Sequence, residues 1–289
     1  MHKRKFFRLR LRSGMLPLGK RTLLMGVLNV TPDSFSDGGR FFDAKRAVAQ
    51  ALAIERSGAD IIDIGAESSR PGAQGIRAAE ELGRLLPVLE GLRGRLKVPI
   101  SVDTQKSAVA EIALGAGAQI INDVSGLRTD PRLAQVAAQF RAPLVLMHMR
   151  GNPLTMQKGP FARDVWQDVK RGLRRSIAVA RKAGVARSQI VLDPGIGFGK
   201  SFAQNYELLA RLPVLAQLGF PVLVGTSRKG FLGAALAKRG KAAPAGERIW
   251  GTAATVAASI LGGAHIVRVH DVAEMAQVAR ISDSVLERL

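Results

Sequence analysis

Asp60-Ile-Ile-Asp-Ile-Gly65 and Pro99-Ile-Ser-Val-Asp103 are short apolar runs, and between them lies the amphipathic stretch 79–92. A run of this length without alternation suits a strand buried on both faces. Strand, helix and strand in that order give a parallel pair with a crossover helix. The unit repeats in both directions along the chain. Eight such runs, at 23–30, 60–65, 99–103, 119–124, 143–149, 190–193, 221–225 and 265–269, alternate with helical patterns such as 44–57, 106–114, 131–140 and 205–218. The last helix follows Asp271, which predicts an N-cap, and puts Met275, Val278, Ile281 and Val285 on one stripe. Eight βα units in 289 residues with no Pro/Gly/Ser-rich linker fit a single-domain (β/α)8 TIM barrel over residues 23–289. A doubly wound open sheet is the competing architecture, but its dinucleotide fingerprint is missing.

The 43 Lys+Arg outnumber the 23 Asp+Glu, a formal net charge of +20, and cysteine is absent. Lack of cysteine excludes disulfides, thiolate metal sites, Fe–S clusters and a cysteine nucleophile. The charge invites a nucleic-acid or membrane reading. Eight of the Lys/Arg fall in residues 1–21, before any acidic residue. Phe7-Arg8-Leu9-Arg10-Leu11-Arg12 alternates with the period of a half-buried strand, so residues 1–22 are expected to form a basic N-terminal strand or hairpin capping the barrel. No apolar segment follows as in a secretory leader, and an organellar presequence would carry a helical moment instead. A second basic group, Lys170, Arg171, Arg174, Arg175, Arg181 and Lys182, lies among Val165, Val169, Leu173, Ile177 and Ala180. Those apolar residues make one helical stripe, which leaves the charges on a solvated face. At 5% aromatic, the chain has too few rings to interleave with its basic clusters as a nucleic-acid platform does. The longest apolar candidate, 253–267, is broken by Ser259, Gly262, Gly263 and His265 and is too short to span a bilayer. A cytoplasmic protein with neither nucleic-acid nor membrane partner is expected.

Enzymes of this architecture build their sites at the C-terminal strand ends. Here the runs end in Asn29 and the 31–39 loop; Glu67, Ser68, Ser69 and Arg70; Asp103; Asn122 and Asp123; His148; Asp193; Ser227, Arg228 and Lys229; and Arg268 and His270. One or two such residues would be helix caps. Eight polar endings in register exceed what capping needs, so these side chains are expected to converge on one pocket. Two familiar motifs fail. Gly195-Ile-Gly-Phe-Gly-Lys-Ser201 looks like a phosphate-binding P-loop, but the position of its first glycine is Pro194, and its G-x-G-x-G spacing is not a dinucleotide fingerprint. Histidines at 2, 148, 265 and 270 show no zinc spacing.

The strand-end motifs resemble those of the dihydropteroate synthases, sulfonamide-target enzymes of the pterin-binding family. Met25-Gly-Val-Leu-Asn-Val-Thr-Pro-Asp-Ser-Phe-Ser-Asp-Gly-Gly39 is similar to the first signature and Ile62-Asp-Ile-Gly-Ala-Glu-Ser-Ser-Arg-Pro-Gly-Ala73 to the second. Ser101-Val-Asp-Thr-Gln-Lys106, Ile121-Asn-Asp-Val-Ser-Gly126, Leu146-Met-His-Met149, Leu192-Asp-Pro-Gly-Ile-Gly-Phe-Gly-Lys200, Thr226-Ser-Arg-Lys-Gly-Phe-Leu-Gly233 and Val267-Arg-Val-His-Asp271 follow in the family's order. The resemblance implies a transferase of folate biosynthesis. It joins 6-hydroxymethyl-7,8-dihydropterin diphosphate to p-aminobenzoate, releases pyrophosphate, uses Mg²⁺ and is usually a homodimer.

By the same resemblance, Asp193 takes the 2-amino/N3 edge of the pterin, Asn122 its ring nitrogens, Asp103 the reduced-ring nitrogens and Lys229 the carbonyl side. Arg268 lies against the ring face and touches phosphate. Met147 and Phe198 are pocket walls. His270, Ser69 and Asn29 match anion and metal positions, with Asn29 the Mg²⁺ ligand, and Arg70 meets the substrate. Lys229, Arg268, His270 and Asp103 are the expected catalytic set. The 31–39 and 66–75 loops are expected to close over the reacting centre. Two positions depart from the family pattern: Ser69, where a threonine is usual, keeps the hydroxyl, and Gly230 lacks a side-chain contact to the aminobenzoate carboxylate. The competing readings are a pterin-binding methyltransferase relative and a non-catalytic basic barrel that binds nucleic acid. The first lacks a cobalamin-type domain, and the second lacks interleaved aromatics.

Overall fold

The protein is described by a computed structural model that covers residues 4–31 and 40–288, with backbone alone for residues 40–43. Ten strands and ten α-helices follow along the described chain. A hairpin of β1 (Phe7–Leu11) and β2 (Gly14–Leu18) comes first. Then come β3 (Leu23–Asn29), α1 (Arg40–Arg56), β4 (Ile61–Gly65), α2 (Ala78–Leu92), β5 (Ile100–Asp103), α3 (Ser107–Gly115), β6 (Ile120–Asp123), α4 (Leu133–Phe140) and β7 (Leu144–Met147). The second half continues with α5 (Val165–Lys182), β8 (Ile190–Asp193), α6 (Phe202–Ala210), α7 (Pro213–Ala216), β9 (Leu223–Val224), α8 (Gly230–Ala235), α9 (Ile249–Leu261), β10 (Ile266–Val269) and α10 (Val272–Leu286). The strands pair in parallel in the order β8-β7-β6-β5-β4-β3-β10-β9. A bridge between Leu192 and Val222 and a 2.9 Å bond from the Leu192 N–H to the Pro221 carbonyl join the two ends. The eight runs close into the expected barrel.

Strand parity explains what each run does. Successive side chains point to opposite faces. One set, including Leu24, Ile62, Val102, Ile121, Leu144, Ile190 and Val267, packs outward in the large core it shares with the helices. The other set points into the barrel. Near the N-terminal strand ends it is apolar: Leu23, Met25, Ile61, Ile120, Val145, Val191, Leu223 and Ile266 form a separate cluster with Leu9, Leu11 and Leu18 of the hairpin. The hairpin thus plugs the barrel floor, and its alternation is the expected one, with Arg8, Arg10 and Arg12 exposed. Burying each of those three leucines contributes roughly 2 kcal/mol. Toward the C-terminal ends the inward positions turn polar.

Helix α5 matches its expected amphipathicity, with Val165, Val169, Leu173 and Ala180 buried and its N-terminus capped by Asp164, which accepts from the Gln167 N–H. Two local expectations are corrected. The stretch 205–218 forms two helices, because Pro213 has no N–H to continue α6 and starts α7 instead. Asp271 sits at the N-cap of α10 but its side chain makes no capping bond, since both carboxylate oxygens accept from Arg228. A charged two-point bond outcompetes a single cap. Among the described residues no helix is long and apolar enough to cross a membrane.

Candidate active site

The polar end of the barrel opens into a cavity of about 590 Å³. Every expected site residue lines it: Asn29, Ser69, Arg70, Asp103, Asn122, Met147, Asp193, Phe198, Lys229, Arg268 and His270. Of the strand-end residues, Asp123 and His148 do not join them. Each follows an inward residue, Asn122 or Met147, so parity turns it outward. Asp123 instead closes the turn after β6, accepting from the Ser125 and Leu127 N–H groups at 2.8 and 2.6 Å. Of the two expected lids, residues 32–39 lie outside the described set, while the stretch after β4 brings Glu67, Ser68, Ser69 and Arg70 to the rim.

At the centre sits a guanidinium between two carboxylates. Arg268 on β10 donates from Nε to Asp63 Oδ2 at 2.6 Å and from a terminal nitrogen to Asp103 Oδ2 at 2.9 Å. Asn122 Nδ2 donates to the same Asp63 oxygen at 3.0 Å. Asp63 is 0% exposed, in the middle of β4, and it organises both partners. Burial would lower the Arg268 pKa, but the two carboxylates outweigh it and hold the pKa above its usual value. Burial raises the Asp103 carboxyl to about 7 against the pull of Arg268.

Asp193 ends β8 and is buried, accepting from the Gly195 N–H at 2.6 Å. Burial lifts it to about 6, opposed by that bond and by Lys229 and Lys200. Lys229 lies 3.8 Å from the centre of the Phe198 ring, a cation–π contact that fixes both at the cavity wall. Burial and the nearby Arg268 bring its ammonium down to about 8. The preceding residue, Arg228, has a φ of 59°, rare for a residue with a side chain. Three contacts hold it: its N–H on Thr252 Oγ1 at 3.1 Å, its carbonyl on Arg248 at 2.8 Å and its ion pair with Asp271. That turn aims Lys229. His270 is lowered to about 3 by burial and then by Arg268 and Arg228, so it is neutral at pH 7. Its backbone N–H donates to Ser227 Oγ at 3.2 Å, and its Nδ1 lies 3.0 Å from the same oxygen. The serine has one O–H and two lone pairs, so it serves Nδ1 either as donor, leaving the ring proton on Nε2, or as acceptor of Nδ1–H.

Asp63 is a functional neighbour that strand-end reasoning missed, whereas Ser227 was among the strand-end residues and supports His270. The signal for Asp63 was a lone carboxylate inside an apolar strand, at the same parity as Gly65. For a metal, no group of three or more His, Cys, Asp or Glu side chains is assembled among the described residues. Asn29 offers one half-buried amide oxygen at the cavity wall. A single oxygen ligand is compatible with Mg²⁺, which retains waters and takes phosphate oxygens.

The mouth of the barrel thus gathers carboxylates, an amide and cations around one cavity. The family model described as pterin binding enzyme matches residues 25–270. A dihydropteroate synthase of Synechocystis sp. is 49% identical over 266 residues, covering 92% of this chain and 91% of that protein. The dihydropteroate synthase of Yersinia pestis, solved in a sulfonamide complex, superposes with a TM-score of 0.89 at 41% identity over 98% of this chain and 100% of that one. The Xanthomonas albilineans enzyme, solved with 4-aminobenzoic acid, gives 0.88 at 41% over 97% and 98%. The chain belongs to the pterin-binding enzymes and, among them, to the dihydropteroate synthases.

Proposed function

We propose that this chain condenses 6-hydroxymethyl-7,8-dihydropterin diphosphate with p-aminobenzoate to give 7,8-dihydropteroate and pyrophosphate. The observation that carries the reading is the convergence of Asp193, Asn122, Asp103, Lys229 and Arg268 on one cavity at the barrel mouth. The ionised Asp193 accepts from the 2-amino and N3 donors of the pterin. Asn122, its amide held by Asp63, meets the ring nitrogens, and Asp103 meets those of the reduced ring. Lys229 faces the carbonyl, and Met147 and Phe198 wall the heterocycle. Arg268, His270 and Ser69 take the diphosphate oxygens, and Arg70 reaches the substrates from the rim. In the reaction the C–O bond to the diphosphate breaks with its electron pair leaving on pyrophosphate. The cations stabilise that developing charge. The neutral aniline nitrogen then forms the C–N bond and gives its proton to water, so no strong general base is needed. Asn29 would hold Mg²⁺, which supplies further neutralisation of the diphosphate.

The same reading makes the enzyme a cytoplasmic homodimer with no nucleic-acid partner, its barrel of residues 23–289 acting as one domain behind the 1–22 extension. The small-residue helix α9 supports a dimer contact, because Trp250 is 79% exposed on it and Ala254 and Ala258 continue the same outward face. Sulfonamides, bound by the Yersinia pestis enzyme, would compete for the aminobenzoate position. Pyrophosphate release with both substrates and Mg²⁺ tests the activity: release that requires both substrates supports it, and none from the folded protein refutes it.

A further inference from the structure

Two residues of the sequence remain unused by this chemistry: His148, turned away from the cavity, and Lys200, at the end of the Gly195–Lys200 stretch that resembles a P-loop without being one. They meet. Lys200 is 2% exposed, and its ammonium has three acceptors: the Phe198 carbonyl at 2.8 Å, the His148 carbonyl at 3.1 Å and His148 Nδ1 at 3.2 Å. Three donors with three acceptors leave the group fully satisfied. Since Nδ1 accepts, the imidazole proton is on Nε2, which lies 3.6 Å from Asp168 Oδ2 on α5. Two glycines make room for the arrangement. A Cβ on Gly172 would come within 2.4 Å of the His148 ring, and one on Gly195, whose φ is +68°, within 1.9 Å of the His148 carbonyl.

The stretch stapled in this way carries the site's own residues. It begins beside Asp193 and holds Phe198, the ring against which Lys229 rests. We infer that Lys200 is a positioning residue for the pterin subsite, its ammonium tying the β8–α6 loop to the end of β7 through the Phe198 and His148 carbonyls and holding His148 in the tautomer whose Nδ1 accepts. This rests on the pterin reading above. The groups facing His148 are Lys200 from the loop, Arg128 after β6, Arg150 after β7, and Asp168 and Arg171 from α5. Burial first, and then the cations, keep the imidazole neutral, its pKa near 2. Burial also lowers Lys200, to about 7, although Asp193 and Asp168 favour its charged form.

The test has two arms. In full-length protein labelled with ¹⁵N-histidine, His148 is expected to show a bare Nδ1 and a protonated Nε2 across the interval in which an ordinary histidine titrates. A His148 that titrates there, or carries its proton on Nδ1, overturns the inference. In the second arm, 6-hydroxymethylpterin is titrated calorimetrically into the wild type and Lys200→Met, with melting curves for both. The folded variant is expected to bind roughly tenfold more weakly or worse, the scale of a lost charge-assisted hydrogen bond; wild-type affinity in K200M overturns the assignment. A wild type that does not bind the pterin refutes the reading of the cavity, and the histidine spectra still judge the staple. The spectra also decide the matter if K200M does not fold.

Discussion

The two ends of the barrel use the same inward strand positions for opposite purposes. At the floor they are Leu, Ile, Val and Met, sealed by the hairpin leucines, with the hairpin's arginines left in water. At the mouth, two residues further along the same strands, they are Asp63, Asn122, Asp193 and Arg268, joined by Asp103 of β5. The floor stabilises the fold. The mouth weakens it, because burial raises the Asp103 and Asp193 carboxyls to about 7 and about 6. A folded-state pKa above the unfolded value means that ionisation opposes folding. The penalty from Asp193 is complete above about pH 6 and disappears as the pH falls toward the ordinary carboxylate value near 4. Evolved sites commonly trade stability for function in this manner.

The sharpest way to break the contrast is Asp193→Asn. Its kcat/KM is expected to fall on the order of 100- to 1000-fold, because one of the two acceptor oxygens aimed at the pterin becomes an NH₂ donor and the charge is lost, while its Tm at pH 7 rises. A lower Tm would contradict the assignment of stability cost to the mouth. At the floor, Leu18→Ala should do the reverse: about 2–4 kcal/mol lost in denaturant titrations, with kcat/KM unchanged wherever the protein remains folded. Asp63→Asn is expected to lower kcat/KM about tenfold through a displaced Arg268, and kinetics at saturating p-aminobenzoate would measure it. The acid limb of the kcat/KM profile should fall by half near pH 6, where free-enzyme Asp193 takes up a proton, and should vanish in D193N. The smallest effect is steering: raising ionic strength should lower kcat/KM a few-fold, because the surface is strongly basic and both substrates are anions.

The +20 charge is divided along the same axis. Arg8, Arg10 and Arg12 coat the floor hairpin, while Arg174, Arg175, Arg181 and Lys182 are exposed on α5. Lys229 and Arg268 sit instead at the mouth, half-buried beside carboxylates. The excess is mostly surface, and the charges that would meet the diphosphate are few.

The architecture was legible because continuous apolar runs separated by amphipathic stretches admit few topologies. The site was legible because polar residues interrupt those runs at the same height. What escaped reading depended on side-chain direction. His148 and Asp123 stand at strand ends yet face away, which parity would have shown once β6 and β7 were placed. Asp63 was hidden by its position in mid-strand, where a carboxylate breaks the pattern without ending it. Asp271 looked like a cap because capping is local in sequence, whereas its partner Arg228 arrives from the preceding strand end. Lys200 passed as a failed phosphate loop, since nothing local reveals that its ammonium meets carbonyls.

The most direct test of the central claim is a crystal structure with 6-hydroxymethylpterin. The ring is expected with its 2-amino/N3 edge on Asp193, Asn122 at the ring nitrogens and Lys229 at the carbonyl, above an unchanged Arg268–Asp63 pair. A pterin bound elsewhere, or in this cavity with Asp193 away from its donor edge, would contradict it.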